Sequence, residues 1–199
     1  MNNLYLASQS ESRKKLLQNA GISFQVIEQN SDESKCDWNL PLQQVVEGIA
    51  RYKMDHIIMP SGKENEIAFV LTADTLGVDP KGTIRGKPQD KEQAKEMLKA
   101  ACGINQCGTA FCLDKKIFIN NEWQVAQRHI GYAQATYEFF ISDEFIEAYI
   151  ERAQALKASG AIKVEDGAQF LKMVHGSYSA ITGLPMFELW QALITIGFF

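Results

Sequence analysis

Apolar and polar positions along this chain follow two rhythms, and the switches between them mark the elements. Compact apolar runs at 3–7, 24–28 and 67–73 read as strands, and the wider helical spacing over 11–20, 41–59 and 90–101 reads as amphipathic helices. A polar stretch, 29–40, separates the second strand from the long helix. A short strand over 76–78, a turn at Asp79-Pro80-Lys81-Gly82 and a strand over 83–85 follow the third apolar run. After residue 101 the pattern turns to strands: 107–113, a turn at Asp114-Lys115-Lys116, 117–120, a segment around 125–130, and 135–141. Ser142-Asp143-Glu144 then caps a helix running to residue 155, with acids in its first turn where the helix dipole favours them, and a last helix covers 185–195.

Alternating strands and helices followed by an antiparallel section predict an α/β fold with a mixed twisted sheet flanked by helices. No repeat, low-complexity tract or long linker interrupts the pattern. The expectation is one domain over 1–199, made of two lobes with a central cleft.

The candidate chemistry starts at the first strand-to-helix junction. Ser8-Gln9-Ser10-Glu11-Ser12-Arg13-Lys14 packs hydroxyls and cations where a helix N-terminus offers unpaired N–H groups and a partial positive charge, a combination suited to phosphate. Ser10 is the expected N-cap, Leu16 and Leu17 face inward, and Gly21 closes the helix. Asp74, in Thr72-Ala73-Asp74-Thr75, places a carboxylate at the expected end of a buried strand, where α/β proteins hold ligands. Arg85-Gly86-Lys87-Pro88 supplies two cations ahead of a helix, and Gly176-Ser177-Tyr178 with Thr182-Gly183-Leu184-Pro185 forms a glycine-rich approach to the last one.

Composition narrows the classes. With 199 residues, 46% of them hydrophobic and 22% charged, the chain can bury a core large enough for an enzyme. A net charge of −4 argues against a nucleic-acid polymer as partner but leaves room for a local cation cluster around one small nucleotide. No apolar run approaches the roughly 20 residues that span a bilayer, so no membrane partner is expected and the expected location is cytoplasmic. Cys36, Cys102, Cys107 and Cys112 contain no CxxC pair and are read as reduced thiols; the even spacing of the last three reads as small apolar positions rather than a metal cluster. His56, His129 and His175 stand too far apart to suggest a shared site.

Taken in order, these segments resemble the Maf family of nucleoside triphosphate pyrophosphatases. The resemblance rests on Leu6-Ala7-Ser8-Gln9-Ser10 with Arg13-Lys14 and Leu16-Leu17, on Asp32-Glu33, Ile49-Ala50-Arg51-Tyr52-Lys53, Ala73-Asp74-Thr75, Gly86-Lys87-Pro88 and Gly183-Leu184-Pro185. It implies hydrolysis of the α–β phosphoanhydride bond, yielding monophosphate and pyrophosphate in a house-cleaning role. It also implies roles: Asp74 as general base, Lys87 and Lys53 as catalytic cations, and Ser8, Ser10, Arg13 and Lys14 as phosphate ligands. Glu33 and Asp74 are then the ligands of a divalent metal, Mg²⁺ or alternatively Mn²⁺, since hard cations take carboxylate oxygen. The partner is a small-molecule nucleotide, and relatives suggest a homodimer.

For the base, Ser12, Thr75 and Glu165 occupy the family's specificity positions. The branch acting on dTTP and UTP carries two adjacent arginines beginning at the position of Ser12 and a Gln in its Ala-Gly-Ala-Tyr-Gly-Ile-Gln segment. The branch acting on 7-methyl-GTP carries an aromatic at the position of Ser12, Gln at that of Thr75 and Glu at the end of Gly-Ser-Phe-Lys-Ser-Glu. Gly160-Ala161-Ile162-Lys163-Val164-Glu165 resembles the second branch, Ala73-Asp74-Thr75 the first, and Ser12 neither. A carboxylate at 165 suits the N1–H and amine of guanine, which tips the reading toward a purine, with dTTP/UTP as the alternative. A nucleotide-binding regulator with weak catalysis is the other alternative. The lack of a GxxxxGK[ST] loop argues against a kinase.

Overall fold

A computed structural model describes residues 2–199. Strand β1 (Asn3–Leu6) has parallel neighbours on both sides, β2 (Phe24–Val26) and β3 (Ile67–Val78), with Leu4 opposite Phe24 and Phe69. Parallel pairing requires crossovers, supplied by α1 (Glu11–Asn19) between β1 and β2 and by α2 (Leu42–Asp55) between β2 and β3. The short strand β4 (Ile84–Arg85) pairs antiparallel with β3, and α3 (Lys91–Ala100) follows. Two long strands come next, β5 (Gly103–Ile119) and β6 (Glu122–Phe139), then α4 (Asp143–Arg152), β7 (Leu171–Gly176), α5 (Tyr178–Thr182) and α6 (Met186–Thr195). The strand order is β2-β1-β3-β5-β6-β7, with β4 beside β3, so the expected mixed sheet with flanking helices is what forms.

Several element boundaries differ from the sequence expectation, each for a physical reason. Residues 67–73 and 76–78 belong to one strand, so Asp74 lies inside β3 and not at a strand end. The turn expected at 114–116 is absent because Asp114, fully buried, sits in mid-strand with its charge met by Arg128 and Lys116. The reversal falls instead at Asn120-Asn121, whose φ values of 55° and 63° fit a two-residue hairpin. The segments expected around 125–130 and 135–141 are continuous in β6. Helix α2 stops at Asp55, four residues early, as the following backbone turns to pair elsewhere: Ile58 N–H donates to Glu28 C=O at 2.9 Å and Asn30 N–H to His56 C=O at 3.0 Å. Strand β7 has no counterpart in the sequence expectation: three of its six residues are apolar, but they do not alternate cleanly with polar ones and the strand is exposed after Leu171.

The chain forms two compact units. The first takes residues through Asp74, then Ala110–Tyr132 and Gly183–Phe199. Its core joins Leu4 and Leu6 of β1, Leu17 of α1, Phe69 and Leu71 of β3, Phe111 and Leu113 of β5, and Leu189 and Leu193 of α6. The C-terminal segment docks on this body, with Ile196 buried and Phe198 edge-on to Phe69 at 5.1 Å between ring centroids. The second unit, Thr75–Thr109 and Ala133–Thr182, builds its own core from Ala94, Met97 and Leu98 of α3, Tyr137 and Phe139 of β6, and Ile146, Tyr149 and Ile150 of α4. Among the described residues no helix is long and apolar enough to cross a membrane.

Candidate active site

The phosphate-type junction forms as its residues require. Ser10 caps α1 with extended backbone, its hydroxyl accepting from Arg13 N–H at 3.4 Å, and Gly21 (φ 69°) closes the end where the chain must turn left-handed. Leu17 is buried and Leu16 packs partly against the same core. The Ser8 hydroxyl accepts from Ser10 N–H at 3.3 Å and from Arg13 Nη1 at 3.2 Å, while Arg13 Nε donates to Gly183 C=O at 2.8 Å. Those bonds hold the guanidinium in one orientation. Lys14 takes a different course and pairs with exposed Glu11 at 2.9 Å. Ser12 is half-buried on the same turn.

Three further predicted residues meet in the first unit. Lys53 is buried on α2, as are Val46, Ile49 and Ala50, and its Nζ lies 2.6 Å from Asp74 Oδ1 and 2.8 Å from Glu33 Oε1. Glu33 opens a 3-10 turn (Glu33–Lys35) that Asp32 caps through Ser34 N–H, and its carbonyl accepts from Trp38 Nε1 at 3.2 Å. One ammonium thus bridges two carboxylates. The second oxygen of Asp74, Oδ2, is buried and has no hydrogen-bond partner.

The charges set the titration. Burial pushes the Asp74 carboxyl above the usual carboxylate range; Lys53 and Arg13 pull it back down, and Glu33 adds to the rise. Burial likewise lowers Arg13 from its ordinary value against the pull of Asp74 and Glu33, without bringing so basic a group near neutrality. Cys36 shares this environment, and its thiol is pushed up by burial first and by Glu33 and Asp74 next, which makes it a poor nucleophile.

The donor set can be tested against a divalent ion. Two carboxylates already share one positive charge, and an orphaned buried oxygen on Asp74 is a free acceptor. Mg²⁺ is usually held by one or two carboxylates, with water and phosphate oxygens completing its shell, so the residues fit. Among the described residues no group of three or more His, Cys, Asp or Glu forms a closed metal cage. Cys107 and Cys112 are buried strand residues, in keeping with their apolar reading, whereas Cys102 is an exposed thiol just beyond α3.

The remaining predicted residues lie in the second unit. Thr75 is half-buried, its hydroxyl 2.8 Å from that of Thr109, which donates to Ala180 C=O at 2.6 Å. Lys87 has an exposed side chain but an anchored backbone: Gly160 N–H donates to Gly86 C=O at 2.9 Å, and the Ser159 hydroxyl donates to Arg85 C=O while accepting from Gly77 N–H at 3.1 Å. Asp79 adds to that anchor by pairing with Arg85 at 2.6 Å. Glu165 is exposed on a 3-10 turn (Val164–Asp166). The supporting bonds of Thr72, Asp79 and Ser159 were not foreseen from the sequence, because short polar side chains beside a motif carry no periodic signal.

Comparison with known proteins bears on this arrangement. A family model described as Maf-like protein matches residues 3–196. The dTTP/UTP pyrophosphatase of Geotalea uraniireducens (strain Rf4) is 34% identical over 98% of this chain and 95% of its own length. That of Fusobacterium nucleatum subsp. nucleatum is 29% identical over 98% and 96%. A nucleoside triphosphate pyrophosphatase of Ruegeria sp. (strain TM1040) is 32% identical over 96% and 94%.

Proposed function

Because this chain belongs to the Maf-like protein family, we propose that it hydrolyses the α–β phosphoanhydride bond of a nucleoside triphosphate, releasing monophosphate and pyrophosphate. The observation that carries this reading is the Glu33–Lys53–Asp74 constellation, in which Lys53 and Asp74 are buried and Glu33 is part-exposed, with one Asp74 oxygen held by Lys53 and the other free to accept a proton. A water oxygen attacks the α-phosphorus, the bond from that phosphorus to the bridging oxygen breaks, and pyrophosphate leaves with the bridging electrons. Asp74 Oδ2 takes the proton of the attacking water. Lys53 favours the charged form of Asp74 and holds both carboxylates in place, since without it the two would repel.

Arg13 serves as the fork for phosphate oxygens, pre-oriented by Ser8 and Gly183, and Ser8, Ser10 and the N–H groups of α1 add neutral donors. Lys14 contributes long-range positive charge. Glu33 and Asp74 would hold a divalent cation, Mg²⁺ or Mn²⁺, which when bound neutralises phosphate charge. The roles of Lys87 as catalytic cation and of Thr75, Ser12 and Glu165 at the base rest on the family resemblance alone. The same resemblance supports a cytoplasmic, house-cleaning enzyme.

For the base we propose dTTP and UTP, the substrates in the names of the Geotalea and Fusobacterium relatives. The second reading, 7-methyl-GTP, is favoured by the acid at Glu165. The test is a panel of dTTP, UTP, GTP and 7-methyl-GTP with Mg²⁺, with products separated by ion-pair chromatography. Pyrophosphate plus monophosphate, fastest from dTTP and UTP, is expected. Orthophosphate plus diphosphate would refute the bond assignment, fastest turnover of 7-methyl-GTP would transfer the specificity to the second reading, and saturable binding without product would make the protein a regulator.

A further inference from the structure

Thr72 stands two residues before Asp74 on β3, and alternate strand residues share a face, so the two side chains leave the sheet on the same side. Ala50 and Lys53 are three apart on α2 and share a helix face in the same way. The two pairs meet as successive rungs between strand and helix. The Thr72 hydroxyl donates to Ala50 C=O at 2.7 Å, and the Lys53 ammonium donates to Asp74 Oδ1 at 2.6 Å.

Thr72 and Ala50 are both fully buried. The apolar contacts of Val46, Ile49 and Ala50 hold α2 on the core but are non-directional, so they leave its slide and rotation loosely defined. A hydrogen bond has a preferred length and angle, and this one fixes both. The Ala50 carbonyl keeps its ordinary helical acceptor role, so the hydroxyl is an addition to α2 rather than a condition of its folding.

We propose that Thr72 is a positioning residue: its hydroxyl sets the register of α2 against β3 and thereby places Lys53 between Asp74 and Glu33. The assignment of its effect to catalysis rests on the pyrophosphatase reading above; the register itself does not. Thr72→Val removes the donor at nearly constant shape, and Thr72→Ser keeps the donor while losing a methyl group.

Two measurements test this. In steady-state turnover of dTTP with Mg²⁺, Thr72→Val should lower kcat about tenfold with KM within about twofold of wild type, because small misplacements of a reacting constellation are felt in the transition state. Thr72→Ser should return kcat to within about threefold of wild type. In metal-free protein, acylation of Lys53 by a succinimidyl ester, read by mass spectrometry against exposed Lys63, should be several-fold faster in Thr72→Val and near wild type in Thr72→Ser. Thr72→Ala carries the same expectations if the valine variant does not fold. A folded Thr72→Val with wild-type kcat and labelling overturns the proposal, as does a loss that serine fails to restore. A lowered melting temperature with unchanged kcat makes Thr72 structural only and also overturns it. Absence of pyrophosphate release by the wild type would instead refute the functional reading, and the labelling would still decide the register.

Discussion

Replacing Lys53 by methionine is the most direct physical probe of the site. The substitution keeps an unbranched apolar stem and deletes an ammonium held 2.6 Å from Asp74 and 2.8 Å from Glu33. Two unit charges at 2.6 Å attract by about 6 kcal/mol at an effective dielectric of ~20. Part of that offsets the desolvation of the ammonium, which the variant no longer has to bury, and breaking one side of a buried pair typically costs about 3–5 kcal/mol. That is the expected loss at neutral pH in chelator-containing buffer.

The pH dependence has a definite sign. Asp74 in the folded protein lies above its unfolded value, so the native state binds the proton more tightly and stability falls as pH rises through that window. Without Lys53 the folded value rises further, and the fall becomes deeper and extends to higher pH. The gap between wild type and Lys53→Met should therefore narrow as pH falls through the acid range, where Asp74 takes up its proton, and should widen toward pH 7. Urea unfolding followed by circular dichroism across that range measures it. A gap that is constant with pH, or below about 1 kcal/mol at pH 7, would refute a buried charge pair at this position.

Other consequences can be checked separately. Asp74→Asn should lower kcat at least 100-fold while nucleotide affinity, measured calorimetrically, stays within a few-fold, since the amide cannot accept the water proton as a base. Arg128→Met should cost about 3 kcal/mol in urea unfolding, because it removes the bonds at 2.7 and 2.9 Å to the fully buried Asp114 and leaves that carboxylate with the Lys116 ammonium at 3.2 Å and the weak Cys112 thiol donor. In thiol titration of the native protein at pH 8, exposed Cys102 should react first; Cys112, buried and pushed up to about 12, should react only on unfolding.

The helices were legible wherever apolar spacing and a cap coincided. Ser10 and the acidic first turn of α4 marked starts that the structure keeps, because capping is decided within one turn of chain. The long strands were less legible. Asp114-Lys115-Lys116 looks like a turn to any local rule, yet it runs through mid-strand since Arg128, fourteen residues away, neutralises Asp114. The actual hairpin at Asn120-Asn121 carried a usable signal, as asparagine tolerates positive φ better than most residues.

Residue type and order along the chain were enough to nominate Arg13, Glu33, Lys53 and Asp74 and to attach them to a phosphate chemistry, because oxygen donors and cations of those kinds are what polyphosphate demands. Folding alone decided their electrostatic states. Glu33, Lys53 and Asp74 are separated by about twenty residues each, and only their convergence, with Lys53 and Asp74 buried, turns three ordinary charges into one bridging ammonium, one raised carboxyl and one oxygen without a partner. Burial and distance are properties of the assembled molecule, so no local pattern could have carried them.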